Sequence, residues 1–318
     1  MNRVLAHAAL PLVAVSLALA GCSAPGATPA PAAAGSEASG TVTITHAQGT
    51  AEVTKNPAKV VVLDFASLDT LDALDLEDRV VGTAQTTLPD SLSEYATTAT
   101  VGTAQEPDLE AIAALDPDAI IISGRSAAKY AELNQVAPTI DLTSNNAKPI
   151  ESLTTSAQAL GDLFDVRAKV DAELAELTTE IEEAKKAIPA DANALILLTS
   201  GGKVSAFGPG ARFGGLIHDL LGVPAAAPDL EASQHGQAVS FEFIAETNPQ
   251  ALFVVDRDAA IGQQGAAAKQ VLDNPLVART PAWQNDKVTY LDGADWYLIG
   301  FGLDSTSRMV EAVKDALS

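Results

Sequence analysis

Two stretches of this chain repeat each other without a gap. Leu109 to Arg125 reads LEAIAALDPDAIIISGR and Phe241 to Arg257 reads FEFIAETNPQALFVVDR, at a constant offset (241 − 109 = 132). Glu110/Glu242, Ile112/Ile244, Ala113/Ala245, Pro117/Pro249, Ala119/Ala251 and Arg125/Arg257 coincide. Each copy reads as a short helix, a Pro-containing turn and a continuous apolar strand that ends in arginine. Continuous apolar strands after helices suit a parallel sheet covered on both faces. The fold class is therefore α/β, and the duplication predicts two Rossmann-like lobes.

Other segments fit that plan. Val60 to Asp64 and Ala194 to Thr199 read as the opening buried strands of the two halves. Ser67 can cap a helix carrying Leu68, Leu71 and Leu74 on one side. Val42–Thr45 and Ala51–Thr54, around a turn with Gly49, predict a hairpin. Between the halves, Val166, Val170, Leu174, Leu177, Ile181, Ala184 and Ile188 share one helical face, and Pro189 ends the run. Such a helix is ~35 Å long, enough to brace two lobes and restrain their opening. The expected organisation is a first lobe at 41–165, an interlobe helix at 166–188 and a second lobe at 189–318.

The first forty residues serve address rather than fold. Arg3 precedes an apolar, Ala-rich run from Val4 to Ala20, too short for a comfortable span and suited to a secretory signal. It ends Leu19-Ala20-Gly21-Cys22, which resembles the bacterial lipoprotein processing box. Residues 1–21 are expected to be a signal peptide, with the lipid anchor on Cys22. Residues 22–40 are rich in Ala, Pro, Gly and Ser and form a flexible linker, reaching roughly 20–25 Å. The chain is thus expected to be exported and lipid-anchored on the outer face of the cytoplasmic membrane.

Charge and motifs exclude several functions. The formal net charge is −22, and −23 once Arg3 leaves with the signal, so no basic surface remains for nucleic acid. The single cysteine allows neither an internal disulfide nor a thiolate zinc cluster. No Gly-x-Ser-x-Gly elbow, His-Glu-x-x-His motif or Walker loop occurs. In Gly208-Pro209-Gly210-Ala211-Arg212-Phe213-Gly214, Phe213 stands where a dinucleotide fingerprint needs its third glycine. That loop is either an ordinary strand–helix turn or a cradle presenting amides and Arg212 to an anion. His46 and His218 lie in structural contexts. His235 lies in the polar loop Ser233-Gln234-His235-Gly236-Gln237, as a lone surface histidine or a ligand. The chain is not expected to be an enzyme.

The mature chain closely resembles the ferric-siderophore-binding lipoproteins of bacterial ABC importers, of the petrobactin/catecholate type. The likeness runs through Asn56–Phe65, Leu68–Leu71, Gly102–Asp108, Ile121–Arg125, Phe207–Gly214, His235–Gln237, Val254–Ala260 and Trp296–Leu298. It implies two α/β lobes joined by one long helix, the class III solute-binding arrangement, with ligand held between the lobes. It also implies a cleft lined by Arg125, Arg212 and Arg257, whose permanent charges suit a multiply anionic ferric catecholate. For Arg257, flanked by Asp256 and Asp258, an internal salt bridge is the alternative.

By the same resemblance, His235 and Tyr297 fill the two iron positions that a tetradentate siderophore leaves open, the phenol losing its proton to the ferric charge. Aromatic core packing is the alternative for Tyr297. Relatives often carry tyrosine in the loop represented here by Leu88–Leu92, and Leu298–Gly302 replaces a glycine-rich run. Glu110 and Glu242 match the acidic residues through which such receptors dock on the permease, or they merely complement helix dipoles. No intrinsic cofactor is expected, and the protein is expected to act as a monomer. Haem or cobalamin capture on the same scaffold is the alternative function, with a tethered α/β enzyme behind it.

Overall fold

The computed structural model describes residues 40–84, 88–145 and 147–318. The expected signal peptide, the lipid-anchor cysteine Cys22 and nearly all of the linker lie outside the described residues.

The first lobe opens with an antiparallel hairpin, β1 (Thr41–His46) and β2 (Gly49–Thr54). Its sheet contains β3 (Val60–Val62), β4 (Val80–Thr83), β5 (Ala99–Thr100), β6 (Ala119–Ile122) and β7 (Thr139–Asp141). The strands are all parallel, in the order β5-β4-β3-β6-β7. The second lobe contains β8 (Ala194–Ser200), β9 (Lys203–Phe207), β10 (Gln237–Ala238), β11 (Ala251–Asp256) and β12 (Val288–Leu291), in the order β10-β9-β8-β11-β12. Here β8, β11 and β12 run parallel, while β9 and β10 are antiparallel additions. The two-residue turn at Gly201-Gly202, both with positive φ, reverses the chain between β8 and β9 and makes this sheet mixed.

The repeat is geometrical as well as textual. Helix Leu109–Leu115 precedes β6 and helix Phe241–Thr247 precedes β11, at the same offset. Both helices end on a left-handed residue, Asp116 at φ 50° and Asn248 at φ 51°. Asp108 and Ser240 cap their starts by accepting from the N–H three residues on.

Alternation along the strands builds three cores. Val60, Val62 and Ile121 of the first sheet and Ile196, Phe253 and Val255 of the second face a shared central core. Val61, Ile120 and Ile122 face the outer core of the first lobe, and Leu195, Leu197, Leu252 and Val254 that of the second. Burial on both faces explains why these strands read as unbroken apolar runs.

The long helix runs from Arg167 to Ala187 and measures about 32 Å. Val170, Leu177, Ile181 and Ala184 are buried in the central core, with Leu174 packed at its edge. It packs between helix Pro149–Phe164 and the C-terminal helix Leu303–Leu317, and the latter also packs on helix Phe65–Ala73 of the first lobe. The helix Phe65–Ala73 is capped by Asp64 rather than by Ser67. The Asp64 carboxylate accepts from Ser67 N and Oγ at 2.9 and 2.8 Å. Ser67 sits at the third helical position, as donor rather than cap, while Leu68, Leu71 and Leu74 are all buried.

Candidate ligand-binding cleft

Both sheets aim their carboxyl ends at one gap. The first sheet reverses winding between β3 and β6, whose ends are followed by Asp64 and by Ser123-Gly124-Arg125. The second reverses between β8 and β11, followed by Gly201-Gly202 and by Arg257-Asp258. Open α/β sheets leave a crevice at such switch points. The π-helical turn Ala294–Ile299, shortly after β12, completes the wall. The resulting cleft has a volume of about 490 Å³ and takes Asp64, Arg125 and Thr143 from the first lobe and Arg212, His235 and Tyr297 from the second.

The arginines meet at Tyr297. Arg125 donates through Nη1 to the Leu298 carbonyl at 3.0 Å and through Nη2 to the Tyr297 carbonyl at 2.8 Å. Arg212 donates to the same Tyr297 carbonyl at 2.6 Å, with its guanidinium carbon 4.5 Å from the tyrosine ring centre. Carbonyls at the end of a helical turn are short of intrahelical donors and carry partial negative charge, which is why they can gather two guanidiniums. Among the described residues, no carboxylate lies within 4.0 Å of Arg125 or Arg212. Burial, and then the neighbouring Arg125, hold the Arg212 pKa below its ordinary value. Arg212 nonetheless remains a cation at neutral pH.

Arg257 is placed differently and is not among the residues lining this cleft. Its Nε donates to the Tyr297 hydroxyl at 2.9 Å, and its Nη1 lies 3.4 Å from Ser200 Oγ and 3.5 Å from Asp258 Oδ1. Asp258 is buried and also accepts the Gly201 N–H at 2.6 Å. The neighbour Asp256 is occupied elsewhere, accepting from the N–H groups of Ala259 and Ala268. The two repeat copies diverge at this point: Arg125 follows a Ser-Gly turn into the cleft, whereas Arg257 begins the short helix Arg257–Ala260. It therefore stands behind Tyr297, as a partner of the phenol oxygen.

His235 lines the cleft from an exposed loop, its N–H held by Ser233 Oγ at 3.2 Å. Gly236 makes that position possible. Its φ is +67°, and a Cβ there would come within 2.7 Å of the Phe207 ring, so only glycine lets the loop lie on β9 before β10 pairs with it. His218 is buried and donates through Nδ1 to the Val223 carbonyl at 2.8 Å, and burial pushes its pKa down. His46 lies against Tyr130 in a tilted pair, ring centres 5.5 Å apart, and does not line the cleft. Glu110 and Glu242 are exposed, in the first turns of the two repeated helices.

Three features lacked a strong sequence signal. Asp64 lines the cleft with its carboxyl pushed up by burial, against the opposing effects of Ser67 and Arg125. Thr143, on the first-lobe wall, is held by Asp141, which accepts both its N–H and its hydroxyl. Behind the π-helical turn, Arg308 bridges Asp295 and Asp69, from the second and first halves of the chain. Only Asp64 had a local cue, the Asp-x-x-Ser spacing of a capped helix start. Among the described residues, no group of three or more His, Cys, Asp or Glu side chains is arranged to hold a metal ion on its own.

Two α/β lobes, a bracing helix and a charged cleft at facing switch points define a solute-binding protein of the helix-linked class. Residues 60–294 match the Periplasmic binding protein family, and the chain belongs to that family. It is 47% identical over 269 residues to the petrobactin-binding protein YclQ of Bacillus subtilis, covering 84% of each chain. It is 30% identical over 281 residues to the ferric-anguibactin-binding protein FatB of Vibrio anguillarum, covering 86% of each. The crystal structure of YclQ superposes with a TM-score of 0.85 at 45% identity, over 87% of this chain and 99% of that one. The catecholate-siderophore binding protein VctP of Vibrio cholerae gives 0.80 at 31% identity, over 86% and 99%.

Proposed function

We propose that this protein captures an anionic ferric siderophore of the catecholate or petrobactin type outside the cytoplasm and delivers it to an ABC permease. One observation carries this reading: Arg125 and Arg212 line one cleft and are anchored on main-chain carbonyls rather than on carboxylates. Their positive charge is left for a ligand, and a desolvated guanidinium such as Arg212 gains most from an anionic partner. The names of YclQ, FatB and VctP support the same ligand class.

In this reading Tyr297 and His235 complete the coordination of iron when the siderophore supplies four donors. The phenolate oxygen has lone pairs for both the metal and the Arg257 N–H, so Arg257 keeps its bond while iron is held. Glu110 and Glu242, one on each lobe, serve as the contacts to the permease. Cys22 carries the lipid that keeps the protein at the membrane, and replacing it with serine should release the protein into the medium.

Trp296 is buried in the wall of the cleft, whereas Trp283 packs on the outer core of the second lobe. The Trp283→Phe variant therefore leaves Trp296 as the reporter. Its fluorescence should be quenched strongly by a ferric bis-catecholate and little by a ferric hydroxamate. Equal affinity for both would overturn the charge argument.

A further inference from the structure

A second, smaller chamber opens beside the cleft. It is a solvent-open pocket of about 290 Å³ between Leu88 and Pro89 of the first lobe and Ala259, Leu291, Ala294 and Leu298 of the second. Leu298 lines both chambers, and its carbonyl accepts Arg125 Nη1 at 3.0 Å. The wall between them is thus fixed by the same arginine that brings charge to the main cleft.

The chemistry changes across that wall. The main cleft sets guanidinium, imidazole, carboxyl and hydroxyl groups among aromatic and aliphatic side chains, while the side pocket presents mostly aliphatic carbon. Among the described residues its one ionisable lining group, Asp256, already accepts from the N–H of Ala259 at 3.1 Å and of Ala268 at 2.7 Å. Among the same residues no cation lines the pocket to hold a second anionic head. At ~30 Å³ per water it has room for about ten, enough for a chain of several methylenes.

We propose that this chamber is a subsite for an unbranched hydrocarbon arm of the ligand, so that the receptor reads an elongated chelate and not only its ferric head. The proposal rests on the ferric-chelate reading of the main cleft. Leu298, whose carbonyl holds Arg125, is the lining residue that the two pockets share. Each methylene fully removed from water is worth up to about fourfold in affinity, and an open pocket realises part of that.

The test uses the full chain and two ferric probes with one tetradentate bis-catecholate head, one bare and one carrying an octyl chain. The wild-type protein should bind the octyl probe at least tenfold more tightly. Ala259 is exposed and does not line the main cleft, so Ala259→Leu fills the chamber without touching the head. This variant should lose the octyl advantage and keep its affinity for the bare probe, and Leu88→Asp should do the same. Equal wild-type affinities, an octyl advantage that survives both variants, or equal losses for both probes would overturn the subsite. Binding of neither probe would overturn the reading of the main cleft itself.

Discussion

Arg308 grips Asp295 with two of its nitrogens, Nε at 3.0 and 3.1 Å and Nη2 at 2.7 Å, immediately before the cleft residues Trp296 and Tyr297. The same Nη2 lies 3.0 Å from Asp69 Oδ1 in helix Phe65–Ala73, while Asp69 Oδ2 accepts the Ser305 N–H at 2.9 Å. One guanidinium therefore ties the turn that carries Tyr297 to a helix of the first lobe. Asp69 and Asp295 are 2% and 8% exposed, so removing the cation strands two buried carboxylates. Arg308→Met should cost about 2–3 kcal/mol in urea unfolding. That is below the ~3–5 kcal/mol of a fully buried pair because the Arg308 side chain is itself 38% exposed. Asp69→Asn with Arg308→Met should recover part of that loss, and an unchanged midpoint in the single variant would show the bridge to be idle.

The arginines should separate by position. Arg125→Met and Arg212→Met should each weaken ferric catecholate binding by about 30-fold or more, the usual scale for removing a buried charged contact. Arg125→Lys should lose much of the same affinity, because an ammonium cannot fork to the two carbonyls of Tyr297 and Leu298. Arg257→Met should act mainly through Tyr297, perturbing the iron charge-transfer band more than the affinity. Tyr297→Phe should abolish the protein-induced change in that band with a tetradentate catecholate. An unchanged spectrum in Tyr297→Phe would remove the phenol from the iron.

His218 makes stability depend on pH in a definite direction. Its folded pKa lies below the ordinary 6.5 because burial disfavours the imidazolium. Below pH 6.5 the unfolded chain binds a proton that the folded chain resists, so the unfolded state gains and stability falls as pH falls. The loss continues until the folded pKa is reached, at no more than ~1.4 kcal/mol per pH unit. His218→Asn keeps an amide donor where Nδ1 meets the Val223 carbonyl and removes the titration. The stability difference between the two proteins should change between pH 7 and pH 5, and a constant difference would exclude this linkage. Asp64, Asp69, Asp72 and Asp304 have carboxyls raised chiefly by burial and work the other way, each adding stability as pH falls through its folded value.

Import and capture should be separable. Glu110 and Glu242 are exposed and do not line the cleft. Reversing both to arginine should leave the ligand affinity unchanged while reducing siderophore-dependent iron uptake by cells. Normal uptake by the double variant would assign docking to other residues.

The architecture was legible where local pattern and tertiary demand agree. The repeat at Leu109–Arg125 and Phe241–Arg257 gave away two helix–strand units because strands buried on both faces must be apolar throughout. The face from Val166 to Ile188 gave away the long helix for the parallel reason. The antiparallel strands β9 and β10 were not legible as such, since strand direction depends on pairing rather than on local composition. The same holds for Arg257. Its sequence neighbours Asp256 and Asp258 were both eligible partners, and only the helix start at Arg257–Ala260 decided between them by using Asp256 as a cap. Arg308 and Asp69 meet across 239 residues, a separation over which no short-range pattern operates.

The C-terminal helix carries a consequence for the order of assembly. Because Leu303–Leu317 supplies the partners of Asp69, this buried carboxylate of the first lobe is satisfied only once that helix has docked. Until it docks, the first lobe carries an acid group without its partners, so the two lobes are coupled in folding through a helix remote in sequence from the first.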